Sequence, residues 1–234
     1  MDIYSRAKAD LSLSYFKSAD NFVMQVPAME IKPPKDQYIL RMMVKSPWSD
    51  GFKIPPELEW LRNTIVTLGN ARQYFFDTPD HPFVYVTVRS GEVKSVTDDL
   101  WHVDGFSMRV AHRPEQNYIW TDVNPTEVLL QKFDIPVDFD PFKHNLHKYF
   151  QDNGREELTM TLRPKHLALI DPYIVHRRPQ IPLGTQRCFF RISFIPIEIE
   201  DDTCMQNPLL PSKIYNREDI RNTLIPYGST LQNK

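Results

Sequence analysis

Two imidazoles and a carboxylate open the chemical reading of this chain. In Trp101-His102-Val103-Asp104-Gly105 the histidine and the aspartate stand two residues apart. On an extended strand such residues leave the same face, so both side chains can converge on one ion. Alone, such a pair is most often a strand-end histidine bonded to a nearby aspartate. A third donor changes the balance: the apolar run Leu167-Ala168-Leu169-Ile170 passes through Asp171-Pro172-Tyr173 and ends three residues later at His176. His102, Asp104 and His176 together would set two nitrogens and one oxygen on one side of a metal. About three positions then stay open, the arrangement of iron(II) sites that hold a co-substrate and O₂ side by side. A structural zinc site would instead fill its positions with protein ligands, and Cys188 and Cys204 are too few for a thiolate cluster or a disulfide framework.

Downstream, Gly184-Thr185-Gln186-Arg187-Cys188-Phe189-Phe190-Arg191-Ile192-Ser193-Phe194 alternates so that Arg187, Phe189, Arg191 and Ser193 share one strand face. Two guanidiniums on one face favour an anion nearby. One of them pairs with an internal carboxylate such as Asp171, or the pair clamps the carboxylate of a small molecule with its planar forks. Along Phe83-Val84-Tyr85-Val86-Thr87-Val88-Arg89, Tyr85, Thr87 and Arg89 oppose the valines. Thr87 and Arg89 are therefore candidates for co-substrate or substrate contact if that face points inward. Tyr118 and Trp120 are weaker substrate candidates, because paired aromatics on a strand usually pack. His144 and His147 are read as a solvated helix face, and Arg177-Arg178 as a solvated rim.

The elements that must carry these residues are short. Seven glycines and twenty prolines punctuate the chain throughout, which suits many brief elements joined by rigid turns. Strands are expected over residues 83–89, 106–111, 118–122, 157–162, 167–170 and 187–199. Helices are expected from Pro55 to about Tyr74, with Leu58, Leu61, Ile65 and Leu68 at helical spacing, and from Asp140 to about Gln151, with Phe142, Leu146, Tyr149 and Phe150 on one stripe. Such a pattern predicts a mainly β protein built on a closed or sandwiched antiparallel sheet. The expected organisation is one domain over 1–234, with a barrel core over about 83–199, a helical N-terminal flank, and a tail from about residue 200. A net charge of −2 disfavours nucleic acid as a general partner. The N-terminus offers neither a signal-peptide core nor a membrane span, so the expectation is a cytoplasmic protein acting on a small molecule.

With His102-x-Asp104, His176, Arg187 and Arg191-x-Ser193 in view, residues 83–194 resemble the Fe(II)/2-oxoglutarate-dependent oxygenases. The resemblance implies a double-stranded β-helix, a jelly-roll or cupin-like barrel with flanking helices. It also implies Fe(II), 2-oxoglutarate and O₂ as cofactor and co-substrates, with His102, Asp104 and His176 on the metal. The interval from His176 to Arg187 and on to Arg191 is similar to the taurine-dioxygenase-like branch. There the first arginine takes 2-oxoglutarate and the second meets an anionic substrate. In other branches an Arg-x-Ser pair binds 2-oxoglutarate, which would select Arg191 with Ser193; the preference here is Arg187. The implied reaction is decarboxylation of 2-oxoglutarate to succinate coupled to hydroxylation, desaturation or cyclisation of a small molecule. Halogenation is disfavoured, since related halogenases replace the carboxylate held here by Asp104. Two other readings stay open: a peptide or protein side-chain hydroxylase, and a non-catalytic cupin-like protein that binds a metal or small acid.

Overall fold

Alternation along residues 186–195 sets the architecture, because it gives one strand an apolar face and a face of arginines. A computed structural model describes residues 16, 23–28, 31–76, 82–95, 100–105, 115–140, 143–199 and 204–210. Its strands are β1 (Val23–Pro27), β2 (Gln37–Lys45), β3 (Phe83–Glu92), β4 (Gln116–Thr121), β5 (Glu127–Leu129), β6 (Thr159–Thr161), β7 (His166–Ile170), β8 (His176–Arg177) and β9 (Gln186–Ile195). Helix α1 spans Arg62–Phe76 and α2 spans Leu146–Asn153. The strands form an antiparallel six-stranded sheet in the order β1-β7-β4-β9-β3-β2 and a smaller antiparallel sheet in the order β6-β5-β8. The protein is thus mainly β with few helices. No helix among the described residues is long and apolar enough to cross a membrane.

The two faces of the large sheet are covered differently. Val84, Val86 and Val88 of β3, Tyr118 and Trp120 of β4, and Cys188, Phe190, Ile192 and Phe194 of β9 form one buried layer. Against it pack Leu58, Leu61 and Ile65, each fully buried, from a 3-10 turn over Pro56–Leu61 and from α1. Each such side chain contributes about 1.5–3 kcal/mol through removal from water. On the opposite face Ile119, Ala168 and Ile170 meet Val128 of the smaller sheet, with Leu162 and Ile174. A third cluster, Trp101, Leu129, Phe133, Phe150 and Val175, lies under the His102 and His176 segments and also takes in Phe16.

Where structure and sequence pattern part, the reasons are local. The N-terminal flank, expected to be helical and outside a core beginning near residue 83, supplies both edge strands, β1 and β2. Register shifts between Ile39 and Met42 and between Met43 and Lys45 interrupt the pairing of β2 with β3, and they break the period-two signature that marks a strand. The expected strand at 157–162 opens instead as a 3-10 turn, Glu156–Leu158, before β6. Strand β9 stops at Ile195, short of the expected Ile199, because Pro196 lacks the N–H that a ladder needs. The strand expected at 106–111, Phe142, and most of the tail lie outside the described residues.

Helix α2 starts at Leu146 and not Asp140, because the Asn145 side chain caps it by accepting from Lys148 N at 3.1 Å. At its other end Gly154 N donates to Phe150 O at 2.8 Å. A methyl group on Gly154 would lie 2.8 Å from that same carbonyl oxygen and 3.1 Å from Leu129 Cδ2. Close approach, not an unusual φ, therefore demands glycine here. Gly154→Ala is expected to destabilise the protein by about 1–3 kcal/mol, as overpacking does, read as a lower thermal unfolding midpoint.

Candidate active site

Backbone pairing brings the two histidines together before their side chains do anything. His102 N donates to His176 O and His176 N donates to His102 O, both at 2.9 Å, in an isolated antiparallel bridge. Directly opposed residues of such a pair point to the same face, and the ring centroids lie 4.6 Å apart. Each ring is then oriented by its own backbone. His102 Nδ1 donates to Leu100 O at 2.7 Å and His176 Nδ1 to Ile174 O at 2.9 Å. With the hydrogen on Nδ1, each Nε2 presents a lone pair.

Asp104 completes the cluster, in a turn followed by Gly105 at φ 79°. Its Oδ1 lies 2.7 Å from Arg191 Nη1, and its Oδ2 accepts from Asn117 Nδ2 at 2.8 Å. Oδ2 is also 3.3 Å from His176 Nε2. One donor atom from each of His102, Asp104 and His176 lies within 4.8 Å of the others.

The charges match what a metal requires. Burial, reinforced by His176, pushes His102 down to about 4, so it is neutral at pH 7. Burial alone would raise the Asp104 carboxyl, but Arg191 and then His176 outweigh it and hold the group well below the usual carboxylate range. Neutral imidazoles and an ionised carboxylate are the ligand forms that bind divalent metals. His176 Nε2 and Asp104 Oδ2 face each other at 3.3 Å, close enough for one cation to be held by both. The residues present therefore fit a metal held by two nitrogens and one oxygen.

A cavity of about 610 Å³ opens from this cluster. His102, Asp104, His176 and Arg191 lie in its wall, and so do Arg187, Arg178, Arg89, Thr87, Phe189 and Tyr38. Arg187 donates Nε to Val123 O at 3.2 Å and makes no ion pair with a carboxylate among the described residues. Burial, then the neighbouring Arg178, pushes its pKa down to about 10. A guanidinium so placed is stabilised by an incoming anion.

The structure brings most of the sequence-derived residues together and redirects others. Thr87 lines the cavity, with its hydroxyl donating to Leu40 O at 2.9 Å. Arg191 pairs with Asp104; Asp171, the partner considered from sequence, instead caps its own turn by accepting from Tyr173 N at 2.9 Å. Ser193 is buried behind the cavity wall and donates to Asn117 Oδ1 at 2.6 Å. Tyr118 and Trp120 do not line this cavity. They lie in the layer under α1, where Trp120 stacks on Phe190 at 5.3 Å, and Ile119 takes the cavity face of β4.

Arg177 is not a solvated rim residue. Its guanidinium sits 4.0 Å over the Trp101 ring and pairs with Glu127 at 2.7 Å and Glu156 at 2.8 Å. His147, expected on a solvated helix face, is partly buried with its ring 5.9 Å from that of His102. Asn117 and His147 are the neighbours of the cluster that pattern reading missed. Asn117 falls on the same face of β4 as Ile119, but nothing in a lone asparagine marks it.

No family model matches the chain, and no curated protein matches it. Solved structures align with most of the chain at low scores. AviO1 from Streptomyces viridochromogenes Tue57 aligns at 17% identity and a TM-score of 0.39, over 91% of this chain and 88% of that one. EvdO2 from Micromonospora carbonacea var. aurantiaca, solved in complex with 2-oxoglutarate, aligns at 11% identity and a TM-score of 0.39, over 91% and 98%. EvdMO1 aligns at 17% identity and a TM-score of 0.37, with 83% of this chain spanning 44% of that one. At such scores the functional reading rests on the residues themselves.

The depressed His102 fixes the sign of a pH effect. Below pH 6.5 the unfolded chain protonates this ring while the folded one resists to about 4, so acidification favours unfolding. Metal-free protein should lose stability between pH 6.5 and pH 4, by at most about 3 kcal/mol from this group. Melts of His102→Gln across the same range should show a flatter slope than wild type.

Proposed function

We propose that this chain is an Fe(II)/2-oxoglutarate-dependent oxygenase of the double-stranded β-helix class, acting on a small molecule. The observation that carries the reading is the convergence of His102, Asp104 and His176, with lone pairs and charge ready for a metal, in the wall of a cavity that also holds an arginine without a carboxylate partner among the described residues. His102, Asp104 and His176 hold the iron. When bound, the iron and its co-substrates supply oxidative decarboxylation of 2-oxoglutarate to succinate, coupled to oxidation of a substrate C–H bond.

The protein's own part is placement. Arg187 receives the distal carboxylate of 2-oxoglutarate. It is favoured over the Arg191 and Ser193 pair because Arg191 is engaged with Asp104 and Ser193 with Asn117. Phe189, between the two arginines on the same face, gives the co-substrate an apolar wall. The cavity is of the size that encloses small molecules. Arg89 and Thr87 stand where a substrate or the co-substrate is contacted.

Fe(II) and 2-oxoglutarate added without oxygen should give a visible charge-transfer absorption, and admitting oxygen should then yield succinate. His176→Ala should abolish both. Absence of the absorption in wild type, or its persistence in His176→Ala, would sink the assignment in favour of a non-catalytic binding protein. Arg187→Leu removes charge-assisted hydrogen bonds worth about 1.5–3 kcal/mol. It should raise the 2-oxoglutarate concentration for half-saturation by about 10- to 150-fold, with Fe(II) binding retained.

A further inference from the structure

Asp104 is oriented from behind by a short chain of buried hydrogen bonds. In the pairing of β4 with β9, Asn117 stands opposite Ser193 and Ile119 opposite Arg191, so Asn117, Ser193 and Arg191 share one patch of the inner face. Ser193 Oγ donates to Asn117 Oδ1 at 2.6 Å, and Asn117 Nδ2 donates to Asp104 Oδ2 at 2.8 Å. Asn117 is 3% exposed and Ser193 2%, so the bond between them is shut off from bulk water, while the bond to Asp104 lies at the cavity wall. The amide has a single satisfactory orientation. Flipped, it would set Oδ1 against the carboxylate oxygen, two acceptors facing each other in a buried place.

We propose that Asn117, fixed by Ser193, is a positioning residue for Asp104 that turns Oδ2 toward the Nε2 atoms of His102 and His176. This rests on the metal-holding part of the reading above. The other oxygen is held by Arg191, so the carboxylate is gripped at both ends, and a change at Asn117 frees only the end nearest His176. Donors that orient a ligating carboxylate contribute to metal affinity without touching the metal, and losing one costs about 10- to 100-fold.

The test uses Co(II) as probe, under anaerobic conditions, with the full chain. Asn117→Leu keeps the volume and removes the donor. It should weaken Co(II) binding by about 10- to 100-fold and alter the visible cobalt spectrum. Ser193→Ala releases the amide to rotate and should weaken binding in the same direction but less. It also carries the test if Asn117→Leu does not fold. Thr121→Val, on the same face of β4 but outside the chain of bonds, should leave affinity unchanged, which separates positioning from a general loss of packing. The proposal is overturned if the folded variants bind Co(II) as wild type does with the same spectrum, or if Thr121→Val weakens binding equally. Weakened Co(II) binding beside a wild type that shows no 2-oxoglutarate-dependent absorption would support the positioning role and sink the oxygenase reading. Failure of wild type to bind Co(II) or Fe(II) would sink both.

Discussion

The antiparallel bridge between His102 and His176 is the constraint on which the site depends. Two backbone hydrogen bonds join segments far apart in sequence, one before Gly105 and one after the Asp171 to Tyr173 turn. A ladder pair of this kind fixes which face both side chains take. Two further carbonyls, of Leu100 and Ile174, then fix the rotation and the tautomer of each ring. The apolar cluster of Trp101, Phe133, Phe150 and Val175 holds both segments in place. Long-range backbone geometry thus aims at one point two imidazoles that lie far apart in sequence.

Charge is divided between the arginines by depth. Arg191 is half-buried and pairs with Asp104; the carboxylates Asp104 and Glu115 more than offset the desolvation of its guanidinium. Arg187 lies nearer the strand's start, without such a partner among the described residues, and its charged form is disfavoured by burial and by Arg178. Side chains two steps apart on one strand face therefore have different electrostatic fates. The inner one neutralises a fixed carboxylate, and the outer one is left with an appetite for a mobile anion.

Much of this was legible in the sequence, and the limits have physical causes. Alternation in residues 186–195 correctly placed Arg187, Phe189, Arg191 and Ser193 on one face. It does not say how deep each sits, and Ser193 lies buried against Asn117, off the cavity wall. Period two in β4 separated Tyr118 and Trp120 from Asn117 and Ile119, but which set faced the site depended on where α1 packed. The irregular pairing of β2 concealed a strand altogether. The surroundings of Arg177 and His147 are not legible in the sequence because their partners, Glu127, Glu156 and His102, come from other segments, and contact across segments leaves no local signature.

One consequence follows from the way Arg177 is seated. It adjoins His176, lies flat on Trp101, which adjoins His102, and grips Glu127 of β5 and Glu156 of the 3-10 turn. The residues next to both histidines are thereby braced to each other and to the smaller sheet. A change at Arg177 therefore reaches both histidine segments at once, from a residue of the cavity wall that is not one of the three candidate ligands.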